Sequence, residues 1–266
     1  MKKIMTLLFA ACALLACRGQ ETNDGMKVIA HRGGASLGAE NSISCIRKGL
    51  LTGPYAVEVD VHLTSDGAVV VCHDETLDRT TSGSGRIEEL TLSQVRSVSL
   101  KGGEDGETVP TLEEVLKELK GKCILLLEVK KTREGQYAGI EEKIIELLDT
   151  YGMRESVILQ SFNDSVLERF HELAPDIPVE KLLVCRLPFG LAFDIKLHRF
   201  SLDRYPYVQS FNSCNSVTSQ RFIRDVHRSG RMVRVWTVDK PSKLRRGVDA
   251  VITNRPQDFL PRPAGE

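Results

Sequence analysis

"VEVDVHLTSDGAVVVCHD", residues 57–74, reads as a strand, a tight turn and a returning strand. Side chains alternate along an extended chain, so Val57, Val59 and Val61 face one way and Glu58, Asp60 and His62 the other. The turn "SDGA" (65–68) carries a strong hairpin signal. With Asp66 and Gly67 as its two central residues, opposed positions sum to 133 and Asp60 faces His73. A bulged turn shifts that register by one. In either register the acidic pair lies beside His73, and the hairpin is a local departure from the rest of the pattern.

Outward from this stretch, apolar runs recur as "KVIAHR" (27–32), "CILLLEVK" (123–130), "SVILQSF" (156–162), "VEKLLVC" (179–185), "YVQSF" (207–211), "MVRVWTV" (232–238) and "DAVIT" (249–253). Such Val-, Ile- and Leu-rich runs mark strands covered on both faces. Between them, "TLEEVLKELK" (111–120), "YAGIEEKIIELLDTYG" (137–152), "DSVLERFHELAP" (164–175) and "SVTSQRFIRDVHRSG" (216–230) show helical apolar spacing, several with Thr, Asp or Ser at the start and Gly at the end. Alternating strands and helices make the class α/β with a largely parallel sheet. About eight such units predict a closed (β/α)8 barrel rather than an open doubly wound sheet, and no Gly-x-Gly-x-x-Gly or Walker-type loop opens a helix. "QSFN" occurs twice (160–163 and 209–212), a weak echo that two strand ends at one mouth would explain.

Polar residues interrupt the runs at informative places. His31 and Arg32 end the first strand, Glu58 and Asp60 sit in the second, His73 and Asp74 end the third, and Glu128 and Lys130 end the fourth. In a β/α barrel these strand ends meet at one mouth. Buried neighbouring carboxylates are costly, and two arrangements relieve the cost. One is a hard divalent cation on Glu58, Asp60 and Glu128, an all-oxygen set suited to Ca²⁺ or Mg²⁺. The other is an ion network with Lys130 and Arg32. His31 and His73 are either hydrogen-bonded core residues or an acid/base pair near neutral pH, with Arg32 clamping an anionic oxygen. Gly33 and Gly34 let backbone and ligand approach closely there.

The first residues stand apart. Lys2 and Lys3 precede a 13-residue apolar run, Ile4–Ala16, too short to span a bilayer, and "LLAC" (14–17) resembles a bacterial lipobox. The expectation is a lipoprotein signal peptide at 1–16, lipidation at Cys17, a tether over 17–25 and one domain over 26–266, exported and membrane-anchored, facing the periplasm or the outer membrane surface. Without residues 1–16 the balance is 34 basic against 36 acidic residues, a net charge of −2 that gives no reason to expect nucleic acid and no handle on oligomeric state. Cys45, Cys72, Cys123, Cys185 and Cys214 have no framework or zinc spacing and read as mostly buried apolar residues.

Taken in order, "HRGG" (31–34), "EN" (40–41), "EVD" (58–60), "DG" (66–67), "HDETLDRTTSGSG" (73–85), "VPTLEEVL" (109–116), "EVK" (128–130), "VWTVD" (235–239) and "VDAVITNRP" (248–256) resemble the glycerophosphodiester phosphodiesterases. The resemblance implies a distorted TIM-like barrel of the phospholipase-C-like phosphodiesterase type. It implies hydrolysis of a glycerophosphodiester, a small-molecule substrate, to sn-glycerol 3-phosphate and an alcohol, with a divalent metal. By position it implies His31 and His73 as the catalytic pair and Glu58, Asp60 and Glu128 as metal ligands. Arg32 would contact phosphate, Lys130 the phosphate or its carboxylate neighbours, and Trp236 the glycerol side. It further implies attack by the substrate's own hydroxyl, through a cyclic phosphate.

Other positions have plainer expectations. Glu40 and Asn41 fix the first loop, His62 lies behind the acidic pair or at the surface, and His171, His198 and His227 are solvated or packing residues. Asn254, where an acidic residue is often found, affects a loop rather than chemistry. Residues 188–204 form a lid or rim. A phospholipase acting on intact lipids and a non-catalytic binding lipoprotein are the alternative functions.

Overall fold

Strands form at all nine apolar runs of the computed structural model, which describes residue 22, residues 25–183 and residues 201–260. The expected leader and Cys17, Cys185, His198 and the 188–200 part of the expected rim lie outside the described residues. The strands are β1 (Lys27–Ala30), β2 (Ala56–Leu63), β3 (Val69–Val71), β4 (Ile124–Val129), β5 (Val157–Ser161), β6 (Val179–Leu183), β7 (Val208–Cys214), β8 (Met232–Trp236) and β9 (Ala250–Thr253). Eight run parallel in the order β1-β9-β8-β7-β6-β5-β4-β2, and β1 pairs with β2 to close the barrel. β3 lies antiparallel on β2, outside the closed circuit.

The alternation read from residues 57–61 is what builds the wall. Val57, Val59 and Val61 join Leu125, Leu127 and Leu159 in the core beneath the helices. Ile29, Ala56, Leu126, Ile158, Ala250 and Ile252 fill the lumen. Each fully buried Val or Leu contributes roughly 1.5–3 kcal/mol, so a one-residue slip of any strand would forfeit its whole row.

Six helices lie among the described residues: α1 (Ile43–Leu50), α2 (Leu92–Val95), α3 (Leu112–Leu119), α4 (Ile140–Tyr151), α5 (Asp164–Leu173) and α6 (Gln220–Arg228). Of the expected start residues Thr111 acts as a cap, in a capping box with Glu114, whereas Asn163 rather than Asp164 caps α5 and Ser219 rather than Ser216 caps α6 by accepting from Phe222 N–H. The expected helices do not include α1, whose "ISCIRKGL" is short and includes Ser44, Cys45, Gly49 and two β-branched isoleucines. It forms because Ser42 caps it and its Cys45–Ile46–Gly49 side is buried. Between β8 and β9 a single 3₁₀ turn, Pro241–Lys243, stands in place of a helix, one source of the distortion.

Of the two hairpin registers left open, the shifted one forms, and the "QSFN" echo does not hold. Opposed positions in the β2–β3 hairpin sum to 132 rather than 133, because the loop has three residues, Ser65-Asp66-Gly67, with Gly67 at φ +81° and Thr64 paired to Ala68. Cys72 N–H therefore bonds to the Asp60 carbonyl, and His73 lies one residue beyond. The two "QSFN" stretches are not equivalent: Gln160 faces the lumen, whereas Gln209 is exposed and Ser210 and Asn212 are buried.

From β3 to α3 the chain makes an annex with its own small core of Val70, Cys72, Leu77, Ile87, Val95, Leu100 and Val109. Cys45, Cys72 and Cys123 are buried, as expected, and burial pushes Cys45 up to about 12. No described helix is long and apolar enough to cross a membrane.

Candidate active site

The carboxyl ends of β1, β2 and β4 converge on a cavity of about 620 Å³ whose lining includes His31, Arg32, Glu58, His73, Glu128 and Lys130. Phe162 and Trp236 form its apolar side, their rings edge to face at 5.8 Å. Trp236 is fixed by donating from Nε1 to the Asn212 carbonyl at 3.0 Å. Asp60, fully buried, closes the base of the cluster.

β1 ends in a tight turn over His31–Gly33, with Arg32 at φ +51°. A non-glycine residue in that region needs support. Arg32 N–H supplies it by donating to Glu58 Oε2 at 2.9 Å. α1 backs the same turn, since a Cβ on Gly49 would sit 2.0 Å from the Gly33 carbonyl oxygen. α1, absent from the expected helices, is thus what holds the His31–Gly33 turn in place.

Glu58, Asp60 and Glu128 are all buried, and an oxygen from each lies within 4.8 Å of the others. Lys130 Nζ stands 2.7 Å from Asp60 Oδ1 and 2.6 Å from Glu128 Oε1, while Arg32 Nε is 3.8 Å from Asp60 Oδ2. Asn41 donates to Asp60 Oδ2 at 2.9 Å, so the "EN" pair reaches the cluster itself and does more than fix a loop. Two cations face three carboxylates, and the shortfall is unevenly shared. Burial, then Asp60 and Glu128, raises Glu58 well above the usual carboxylate range, and burial pushes Glu128 up to about 7. Burial opposes ionisation of Asp60 too, but Lys130, His73 and Arg32 hold it below its ordinary value. The ion network and the cation site are therefore not exclusive: the network exists, and it leaves one carboxylate without a cationic partner, a place that a proton or a hard divalent cation can fill in this all-oxygen set.

Hydrogen bonds settle which face each histidine presents. Asn254 donates its amide to Asp239 Oδ2 at 2.9 Å, so its Oδ1, 2.7 Å from His31 Nδ1, is an acceptor. His31 therefore carries its proton on Nδ1 and keeps the Nε2 lone pair, and burial, reinforced by Arg32, lowers it to about 4. It is a neutral imidazole at pH 7. His73 instead has a carboxylate on Nδ1, Asp74 Oδ1 at 2.7 Å, and burial lowers it with Asp60 pulling the other way. Asp74, held at about 2 chiefly by Arg79, stays ionised. Arg79 also grips Glu40 through two nitrogens, at 2.8 and 2.6 Å, and Glu40 accepts from Arg32 at 2.9 Å. This clasp ties the annex to the β1 loop.

The expectation that Asn254 affects only a loop is overturned, for its oxygen fixes His31. His62 is neither superficial nor within the acidic cluster: it is 2% exposed, bonds Tyr137 Oη at 2.8 Å and packs under the His73 carbonyl. His171 stacks on Tyr207 and His227 pairs with Asp249, as packing and surface residues do. Glu180 and Arg234 are absent from the expected site residues, and Gln160 and Asn212 enter only through the "QSFN" echo, yet all four are buried and polar on lumen-facing strands. Each interrupts an apolar run, the same signal that exposes Glu58 and Glu128.

The "Glycerophosphoryl diester phosphodiesterase family" model matches residues 31–258. The chain belongs to this family. A family member from Caldanaerobacter subterraneus, a glycerophosphodiester phosphodiesterase, is 34% identical, covering 88% of this chain and 96% of its own. Among solved structures of the family's fold, an Oleispira antarctica phosphodiesterase in complex with the product sn-glycerol-3-phosphate aligns at TM-score 0.73 and 26% identity, over 88% of this chain and 94% of that one. A glycerophosphodiester phosphodiesterase from Parabacteroides distasonis aligns at 0.70 and 25%, over 90% and 96%. The expected fold and enzyme class, phosphodiesterase on a TIM-like barrel, hold.

Proposed function

We propose that this enzyme hydrolyses glycerophosphodiesters to sn-glycerol 3-phosphate and an alcohol, with a divalent cation on Glu58, Asp60 and Glu128. The observation that carries the reading is the pairing of a charge-deficient carboxylate cluster with two histidines of unlike partners at one cavity. The cation supplies neutralisation of charge on the phosphoryl oxygens. His31, neutral with Nε2 free, takes the proton of the substrate's glycerol hydroxyl as that oxygen attacks phosphorus. His73, with Asp74 favouring its charged form, gives a proton to the departing alcohol. A cyclic phosphate results, and the two exchange roles as water opens it. Arg32 and Lys130 bind phosphoryl oxygens at the cavity wall, and Trp236 with Phe162 packs against the glycerol carbons.

Export and acyl anchoring at Cys17 are proposed on the leader's pattern of Lys2–Lys3, a 13-residue apolar run and "LLAC". Either Ca²⁺ or Mg²⁺ suits the donor set. The test is glycerol 3-phosphate release from glycerophosphocholine with each ion, with EDTA, and with His31→Ala. Turnover abolished by both EDTA and the substitution supports the reading. Turnover that survives EDTA removes the cation from it, and no turnover from a folded, cation-loaded protein overturns it.

A further inference from the structure

Beneath the mouth the barrel encloses a second ionic group. Arg234 on β8 and Glu180 on β6 are each 1% exposed, and Arg234 Nη2 donates to Glu180 Oε1 at 2.5 Å. The other Glu180 oxygen accepts from Asn212 Nδ2 at 2.8 Å. The same Asn212 nitrogen donates to Gln160 Oε1 at 2.9 Å, and Gln160 Nε2 donates to Glu58 Oε1 at 3.3 Å. An unbroken chain of hydrogen bonds thus crosses the lumen from a guanidinium to a carboxylate of the candidate cation site.

The direction of this chain is forced. Glu180, paired to the Arg234 guanidinium, only accepts, and the chain is read from that end. Asn212 must turn its NH₂ to Glu180, and its oxygen accepts from Ser210 Oγ at 2.9 Å. Its second N–H then meets the Gln160 oxygen, which leaves the Gln160 NH₂ for Glu58. Both amides are at most 2% exposed, so reversing either would bring two acceptors face to face with no water to relieve them.

Stability alone gives little reason to keep such a pair, because buried ion pairs are often replaceable by apolar residues without loss. Arg234 Nε and Nη1 make no hydrogen bond, and its guanidinium lies 5.9 Å from the Tyr55 ring. Its directional contact is the one to Glu180. We propose that Arg234 is a positioning residue for the cation site: by locking Glu180 it orients Asn212 and Gln160 so that an N–H always meets Glu58 Oε1. Arg32 N–H holds the other oxygen, and the Glu58 carboxylate is fixed in place before a cation arrives. The inference rests on the cation reading above.

The test titrates EDTA-treated protein with Mg²⁺ or Ca²⁺ alone in a calorimeter, so affinity is read without turnover. The double variant Glu180→Gln/Arg234→Met removes both charges together yet leaves an acceptor for Asn212. Its cation affinity falls about tenfold or more, the scale of outer-shell changes at metal sites, with a melting midpoint near the parent's. Gln160→Leu costs at least as much, and adding it to the double variant costs nothing further, because both cut one chain. Asn212→Leu, which removes no charge, gives the same loss and carries the test should the double variant not fold. A folded double or Asn212→Leu variant that binds cation within twofold of the parent overturns the proposal alone. A parent that binds neither ion overturns it together with the cation reading.

Discussion

The mouth and the floor of this barrel both bury acid against base, but on different terms. At the floor one carboxylate, Glu180, meets one guanidinium, Arg234, and two amides take up the remaining acceptor capacity. At the mouth three carboxylates meet Lys130 and Arg32, and the group opens onto the cavity. A balanced, enclosed pair fixes geometry. An unbalanced one beside an opening can exchange a proton for a cation, adding positive charge to that of Arg32 and Lys130 where an anionic phosphodiester would bind.

The sharpest way to break this contrast is to remove the excess. Glu58→Gln lowers kcat/KM by on the order of a thousandfold, while the cation-free protein melts no lower than the parent because a repulsion has gone. Retained activity would mean that the acidic excess is incidental. Next in size, Arg234→Met leaves Glu180 buried and unpaired and costs about 3–5 kcal/mol in denaturant unfolding. Added Mg²⁺ does not recover that loss, whereas part of the stability lost in Lys130→Met returns when the ion is added. Equal behaviour of the two variants would erase the distinction between mouth and floor.

Acid separates the clusters more gently. Glu128 in the folded protein is raised to about 7 from an ordinary 4.5, so its protonated form favours the cation-free fold. That contribution is fully present below 4.5 and is lost as pH rises through 7. Protons and cation compete for the same oxygen, so apparent cation affinity falls about tenfold per pH unit below 7. The rise in melting temperature on adding Mg²⁺ is therefore larger at pH 8 than at pH 6. Smallest is Asn254→Asp, which gives His31 a carboxylate partner like that of His73. Such a partner favours the imidazolium, so the acid limb of the kcat/KM profile moves up by roughly one unit. An unmoved limb would show that His31 is not the group titrating there.

Much of this was legible wherever a polar residue broke an apolar run at a strand end. Glu58, Asp60 and Glu128 stand out because alternation assigns their face without knowledge of any partner. Glu180 and Lys181 stand side by side in the run "VEKLLVC" and point to opposite sides of the sheet, Glu180 to Asn212 and Lys181 to Asp164 and the Phe162 carbonyl, so their partners come from elements that only the folded barrel brings near. Asn254 was opaque for another reason. Its contact with His31 spans 223 positions, and only barrel closure between β9 and β1 creates it. The hairpin register turned on whether Gly67 was the second residue of a two-residue loop or the left-handed third of a longer one, which composition alone leaves open.

The annex core places the two histidines on structures of unequal size. His31 rides on the barrel, whereas His73 rides on a segment held by seven buried apolar residues and by the partly exposed Glu40–Arg79–Asp74 clasp. Segments with so few buried contacts open at lower free energy than the body they dock on. Heat inactivation should therefore precede melting of the barrel, and high salt, which screens the clasp, should widen the interval. Amide hydrogens in the annex should exchange on the timescale of that lost activity, making catalysis a gauge of local rather than global unfolding.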